Sequence, residues 1–164
     1  MNLPLDPAAL FAAFASAFTQ NNRLLKLSFS PGAGIAEDVF LPWTLSGSEA
    51  VNEGYCYELV CLSANAYLEL KQIIGQPVEV SILTDNGGYR PLSGWVTEAR
   101  QDGADGGMSR YTLVIEDLFA LLKLRTNNRI FQETSSKDAV LNIVREHQGN
   151  AILAGSLDID DRTR

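Results

Sequence analysis

Leu45-Ser46-Gly47-Ser48-Glu49-Ala50-Val51-Asn52-Glu53-Gly54-Tyr55-Cys56-Tyr57-Glu58-Leu59-Val60-Cys61-Leu62 changes character in its middle. From Tyr55 onward, Tyr55, Tyr57, Leu59 and Cys61 fall on one side and Cys56, Glu58, Val60 and Leu62 on the other, the two-residue period of a strand. The first half is small and polar and reads as a turn that delivers the chain into that strand. The second face is only partly polar, Glu58 being its one charge. A strand with one apolar face belongs to an antiparallel sheet packed on one side, so its neighbours in sequence should be strands as well.

They are. Upstream, Leu25, Leu27 and Phe29 alternate with Lys26, Ser28 and Ser30 over residues 23–30, and Pro31-Gly32-Ala33-Gly34 ends that strand. Val39-Phe40-Leu41 reads as a short apolar strand stopped by Pro42. Downstream, Ser63 is placed to cap a short helix through Tyr67, Leu70, Ile73 and Ile74, ended by Gly75 and Pro77. Val78, Val80 and Ile82 then alternate with Glu79 and Ser81, Asn86-Gly87 supplies a tight hairpin turn, and residues 89–100 run back. A Gly-rich turn at 102–107 leads into residues 108–116, where Tyr111, Leu113 and Ile115 face one way. Residues 118–124 form an apolar helical turn, and Ser135-Ser136-Lys137-Asp138 caps a last helix reaching His147, with Val140, Ile143, Val144 and His147 along one side and Gly149 as its stop. This is an α+β chain, mainly β, whose short-spaced strands predict a small antiparallel barrel or strongly bent sheet with flanking helices.

Composition narrows the function. The 164 residues suit one domain or one with the beginning of another, and a hydrophobic share of 46% argues against disorder. A net charge of −7 with dispersed Lys and Arg speaks against nucleic acid and against an anionic membrane surface. Cys56 and Cys61 lie on opposite faces of one strand and should not pair, which fits a reducing compartment. Residues 8–18 are apolar, but Asp6-Pro7 precedes them where a secretory signal would carry positive charge. We therefore read residues 1–22 as a packing helix with Leu10, Phe11, Phe14 and Phe18 on one stripe, too short to span a bilayer.

No catalytic, cofactor or metal constellation emerges. Gly32-Ala33-Gly34 lacks the helix that a dinucleotide pyrophosphate would sit on. Asp102-Gly103-Ala104-Asp105-Gly106 has too few carboxylates for a calcium loop, and Asp158, Asp160 and Asp161 read as a solvated tail. His147, the single histidine, sits at a helix end without a nucleophile, and no serine lies in a G-x-S-x-G elbow. Glu49, Glu53 and Glu58 suggest surface charge before a glycosidase pair. Tyr55, Tyr57, Tyr89, Trp95 and Tyr111 at alternate strand positions suggest core or subunit interface before a sugar platform.

Read in order, several short pieces resemble the VgrG family, the spike proteins of bacterial type VI secretion systems. They are Leu45-Ser46-Gly47-Ser48-Glu49, Ile74-Gly75-Gln76-Pro77-Val78, Gly94-Trp95-Val96, Tyr111-Thr112-Leu113 and Asn128-Arg129-Ile130-Phe131-Gln132, with residues 138–144 behind them. The likeness spans roughly residues 23–147, and Leu45, Gly47, Glu49, Gly75, Pro77, Gly94, Arg129, Ile130 and Phe131 are its structural positions. It implies a phage tail hub-like barrel over 23–117, and a helical connecting segment over 118–164 that in relatives leads into a second barrel. It also implies a non-enzymatic homotrimer that docks on an Hcp-like tube, with secreted effectors as further partners and without cofactor, nucleic acid or membrane anchor. The resemblance places the protein in the bacterial cytoplasm before firing and outside the cell or in a target cell after it, with no cleaved signal peptide. Against the family pattern, Asp117 stands where many relatives carry proline, and the second barrel, neck and needle are missing, so a fragment is expected. A phage tail baseplate hub is the nearest alternative, and a carbohydrate-binding module a more distant one.

Overall fold

The computed structural model describes residues 19–21, 23–105, 107–124, 126 and 128–148, without the side chains of Val144 and residues 146–148. The helix expected before residue 19, the side chain of His147 and the acidic tail lie outside the described residues. The chain divides into two compact units after Leu121.

In the first unit one antiparallel sheet contains β1 (Leu25–Phe29), β2 (Leu41–Ala50), β3 (Gly54–Ser63), β4 (Pro77–Leu83), β5 (Tyr89–Asp105) and β6 (Met108–Glu116), in the order β1-β4-β5-β6-β3-β2. The sheet curls until β1 and β2, its two edges, approach each other, although no ladder joins them. The result is a barrel with one open seam. Its inside is the apolar face read from the alternation: Leu27, Leu59, Cys61, Val78, Val80, Val96, Tyr111, Leu113 and Ile115 are all buried there. Tyr111 packs edge-on against Phe40, ring centroids 5.5 Å apart at 85°, and Phe40 meets Phe29 at 6.0 Å across the seam.

Several local expectations need correction. Of the polar stretch before Tyr55 only residues 51–53 are a turn: residues 45–50 are the end of β2, which begins at Leu41, runs through Pro42 and pairs Leu45 with Leu59 and Gly47 with Tyr57. Val39 and Phe40 lie outside it. Pro42 is tolerated because β2 is an edge strand and the ladder is already broken by a bulge at Trp43. Pairing with β3, not intrinsic preference, makes residues 44–50 extended. The helix expected from Ser63 shrinks to α1 (Leu70–Ile73). Ser63 is the last residue of β3, and its hydroxyl accepts the Asn65 N–H at 3.1 Å while Asn65 Oδ1 accepts the Tyr67 N–H at 2.9 Å. Short polar side chains that bond forward in this way compete with helix.

The Asn86-Gly87 turn is larger than two residues. Gly87 N–H donates to Thr84 O at 2.9 Å and Thr84 N–H to Gly88 O at 2.8 Å, with a positive φ at Gly87 (80°) and none at Asn86. This is a type I turn closed by a bulge. The strand expected to stop at Arg100 continues to Asp105 because bulges at Thr97 and Asp102 absorb two residues. The hairpin therefore closes at Asp105 opposite Met108.

The segment 118–124 is helical as expected over α2 (Leu118–Lys123). In the second unit, α3 (Ser136–Gln148) starts from the expected cap: Ser135 Oγ accepts the Asp138 N–H at 3.1 Å and donates to Asp138 Oδ2 at 2.6 Å.

Candidate functional site

The sheet brings three of the nine residues marked by the resemblance, Gly47, Glu49 and Gly94, to one end. On β2, Gly47 lies under Tyr57: a Cβ built on it would stand 2.3 Å from Cys56 O and 2.5 Å from Tyr57 Cδ1. Two residues on, Glu49 accepts the Tyr57 hydroxyl and lies 3.4 Å from Arg90 Nη2 at the start of β5. Tyr57 leans on Tyr55, centroids 5.6 Å apart, and Tyr55 gives its hydroxyl to Ser93 O across the end of β6. Gly94 lies beneath it, and a Cβ there would stand 2.7 Å from Ile115 Cγ2, 2.8 Å from Glu116 O and 3.2 Å from the Tyr55 hydroxyl. So Gly47 and Gly94 are the gaps into which two tyrosines fit.

Burial, with the Glu49 hydrogen bond next, pushes the Tyr57 hydroxyl up to about 12, and burial followed by the charges of Asp117 and Glu49 raises that of Tyr55. Both are therefore neutral hydrogen-bond donors near neutral pH. The Glu49–Arg90 pair is exposed on both sides and contributes less than about 1 kcal/mol. An open cleft of about 360 Å³ lies beside this cluster, lined by Glu49, Ala50, Val51, Gly54 and Tyr55.

The other marked positions lie elsewhere. Gly75 follows α1 with φ of 83° and donates its N–H to Val96 O at 2.7 Å, and Pro77 opens β4 opposite Trp95. Leu45 is half-buried against the core. Arg129, Ile130 and Phe131 belong to the second unit, where Ile130 and Phe131 are exposed in irregular chain.

Other candidates separate in space. Glu58 pairs with Arg100 on the outer face, away from Glu49's partners, and Asp102 accepts from Arg100 and Thr112. Tyr111 and Trp95 are buried, so the aromatics do not form a shared exposed platform. Burial raises the Cys61 thiol, and burial with Glu116 and Glu58 raises that of Cys56, so neither is a thiolate near pH 7. Among the described residues no three His, Cys, Asp or Glu side chains are grouped to hold a metal.

Sequence reading missed the role of Asp117. Its Oδ1 accepts the Ala120 N–H at 3.1 Å, capping α2, and its other oxygen occupies the place a Gly54 side chain would need, 1.8 Å from a built Cβ. An Asp directly before the apolar run at 118 was the available signal. Asp117→Ala is expected to lower stability by about 0.5–2 kcal/mol, and Asp117→Ser, which keeps a cap acceptor, to recover most of it. Chemical denaturation of the two variants checks this: equal loss in both means the cap is not the cause.

Residues 48–164 match the family model described as phage tail baseplate hub (GPD), well over half of the chain. Among curated proteins, the type VI secretion system spike protein VgrG1b of Pseudomonas aeruginosa is 25% identical over 130 residues, which is 79% of this chain and 17% of that protein. VgrG2b of the same organism is 31% identical over 127 residues, 77% of this chain and 12% of the relative. The chain thus spans less than a fifth of the length of these relatives. Among solved structures, the Escherichia coli c3393 protein superposes with a TM-score of 0.60 at 21% identity, over 74% of this chain and 32% of that one. It is described as a component of the type VI secretion system with structural similarity to the T4 bacteriophage tail proteins gp27 and gp5. By the family match and the shared fold, the chain belongs to the phage tail baseplate hub (GPD) family, as a VgrG-like tail-hub domain.

Proposed function

We propose that this chain is the N-terminal hub part of a VgrG-type spike in a type VI secretion system. In this reading it is a structural component without an active site, held in the bacterial cytoplasm until the machine fires and then delivered outward. The observation that carries it is the seamed six-stranded barrel on a chain with VgrG relatives over more than three-quarters of its length. What supports a mechanical role is where the hydrogen bonding goes. Tyr55, Tyr57, Glu49 and Arg90 tie β2, β3 and β5 to one another and leave no acid-base pair aimed at a substrate. A hub has to transmit load without changing shape, and a curled sheet cross-tied at its end is suited to that.

In the full-length protein, trimers are expected to stack two barrels per subunit into a pseudo-sixfold ring that seats on an Hcp-like hexameric tube. Sedimentation of the full-length protein, alone and with the tube protein of the same bacterium, tests this. A stable trimer that co-sediments with tube rings is the expected result. A full-length protein that stays monomeric at micromolar concentration overturns the ring. A phage baseplate hub is the second reading, favoured by the family description and by the T4 tail likeness of c3393. Neighbouring genes for a sheath, tube and secretion-system membrane complex, as against capsid and packaging genes, separate the two.

A further inference from the structure

The seam between β1 and the chain entering β2 is bridged by the hydrogen bonds of Gln20. In β1 the hydrogen bonds to β4 alternate: Leu83 N–H donates to Leu24 O at 2.8 Å and Ser30 N–H to Pro77 O at 3.3 Å. With Leu27 opposite Val80, that parity turns the even-numbered residues of β1 toward β4 and the N–H and C=O of Leu27 away from it, into the seam. Leu27 is 2% exposed, so water does not reach those groups freely. Gln20 takes both. Its Oε1 accepts the Leu27 N–H at 2.6 Å, and its Nε2 donates to Leu27 O at 3.0 Å. The same Nε2 also donates to the Glu37 carbonyl on the other side of the seam, and the Gln20 N–H donates to Asp38 Oδ1 at 3.2 Å.

A glutamine side-chain amide has the same donor and acceptor as a peptide group, so at Leu27 it reproduces what one residue of a neighbouring strand would supply. We propose that Gln20 is a one-residue substitute strand: it bridges the seam of the barrel and, by occupying the outward groups of Leu27 in the middle of β1, keeps that edge from accepting a strand of another molecule. An edge strand with free outward groups is a template for such pairing, and covering it is how sheets avoid it. This goes beyond the assembly proposed above, since it concerns contacts that must not form.

Amide hydrogen exchange on the 164-residue chain tests it. In the unmodified protein the Leu27 amide is expected to exchange as slowly as that of Ser28, which faces β4. In Gln20→Met, similar in length and without the amide, the Leu27 amide is expected to exchange at least about tenfold faster while Ser28 and the β5 amides stay near their original rates. The variant is also expected to self-associate more than the unmodified chain in sedimentation at equal concentration. Fast exchange at Leu27 in the unmodified protein overturns the proposal without any variant. A uniform rise in exchange across β1 and β5 in Gln20→Met overturns it too, since that marks an ordinary packing residue. Faster Leu27 exchange without added self-association removes the guarding role.

Discussion

Gly94→Val is expected to be the most damaging single substitution in the barrel. Gly94 is buried in β5, which is paired on both sides, so the sheet cannot open to admit a side chain. The first carbon alone would stand 2.7 Å from Ile115 Cγ2 and 2.8 Å from the Glu116 carbonyl, one of them backbone that moves only if β6 moves. Overpacking a tight core costs about 1–3 kcal/mol and occasionally more, and two further methyls here would also push the Tyr55 ring off its hydrogen bond to Ser93 O. A loss of about 3 kcal/mol or more is the expected result, which for a chain of this size lowers Tm by about 2–4 °C per kcal/mol. Thermal unfolding checks it. A variant within a degree of the original would mean that β5 and β6 are not packed as described. Gly47→Val meets still closer backbone, but β2 is an edge strand and can splay, so a smaller loss is expected there.

Tyr111→Ala is expected to cost nearly as much by the opposite mechanism. Tyr111 is the largest fully buried side chain among the described residues; its ring packs edge-on against Phe40, and its hydroxyl donates to Asn65 O at 2.9 Å. Removing a buried aromatic ring leaves a cavity and costs about 3–5 kcal/mol. Tyr111→Phe removes only the hydrogen bond and should cost about 1 kcal/mol. Urea denaturation of the pair gives the split. If the two variants lose the same amount, the ring is not buried against Phe40 and the barrel interior is packed in another way.

The parts of this fold that could be read from sequence were those fixed by side-chain period. Leu25, Leu27 and Phe29, then Tyr55 to Cys61, Val78 to Ile82 and Tyr111 to Ile115, each place one apolar face against a common core, and alternation records that directly. What stayed hidden was fixed by pairing. Ser46, Gly47, Ser48 and Glu49 have no strand pattern and are extended because β3 lies beside them. The bulges at Thr97 and Asp102 change register without changing composition. The tyrosine cluster was half visible: Tyr55 and Tyr57 stood out, but Arg90 and Ser93 are distant in sequence and carry no local mark. Gln20 carried none at all, since an amide that bonds to backbone looks like any surface glutamine until the seam is known.

The strand order also governs how fast the barrel can form. The β2–β3 hairpin and the β4–β5–β6 meander each pair neighbours in sequence, so each can assemble from short loops. Joining them requires β3 to find β6, Leu59 against Leu113, and β1 to find β4, Leu27 against Val80, which are roughly fifty residues apart in sequence. That chain entropy is lost before those ladders contribute anything, which puts the domain among the slow, non-local β topologies that fold in about milliseconds to seconds. During that interval the edges of both preassembled pieces are bare, and the time a newly made chain spends in this state is set by topology more than by final stability.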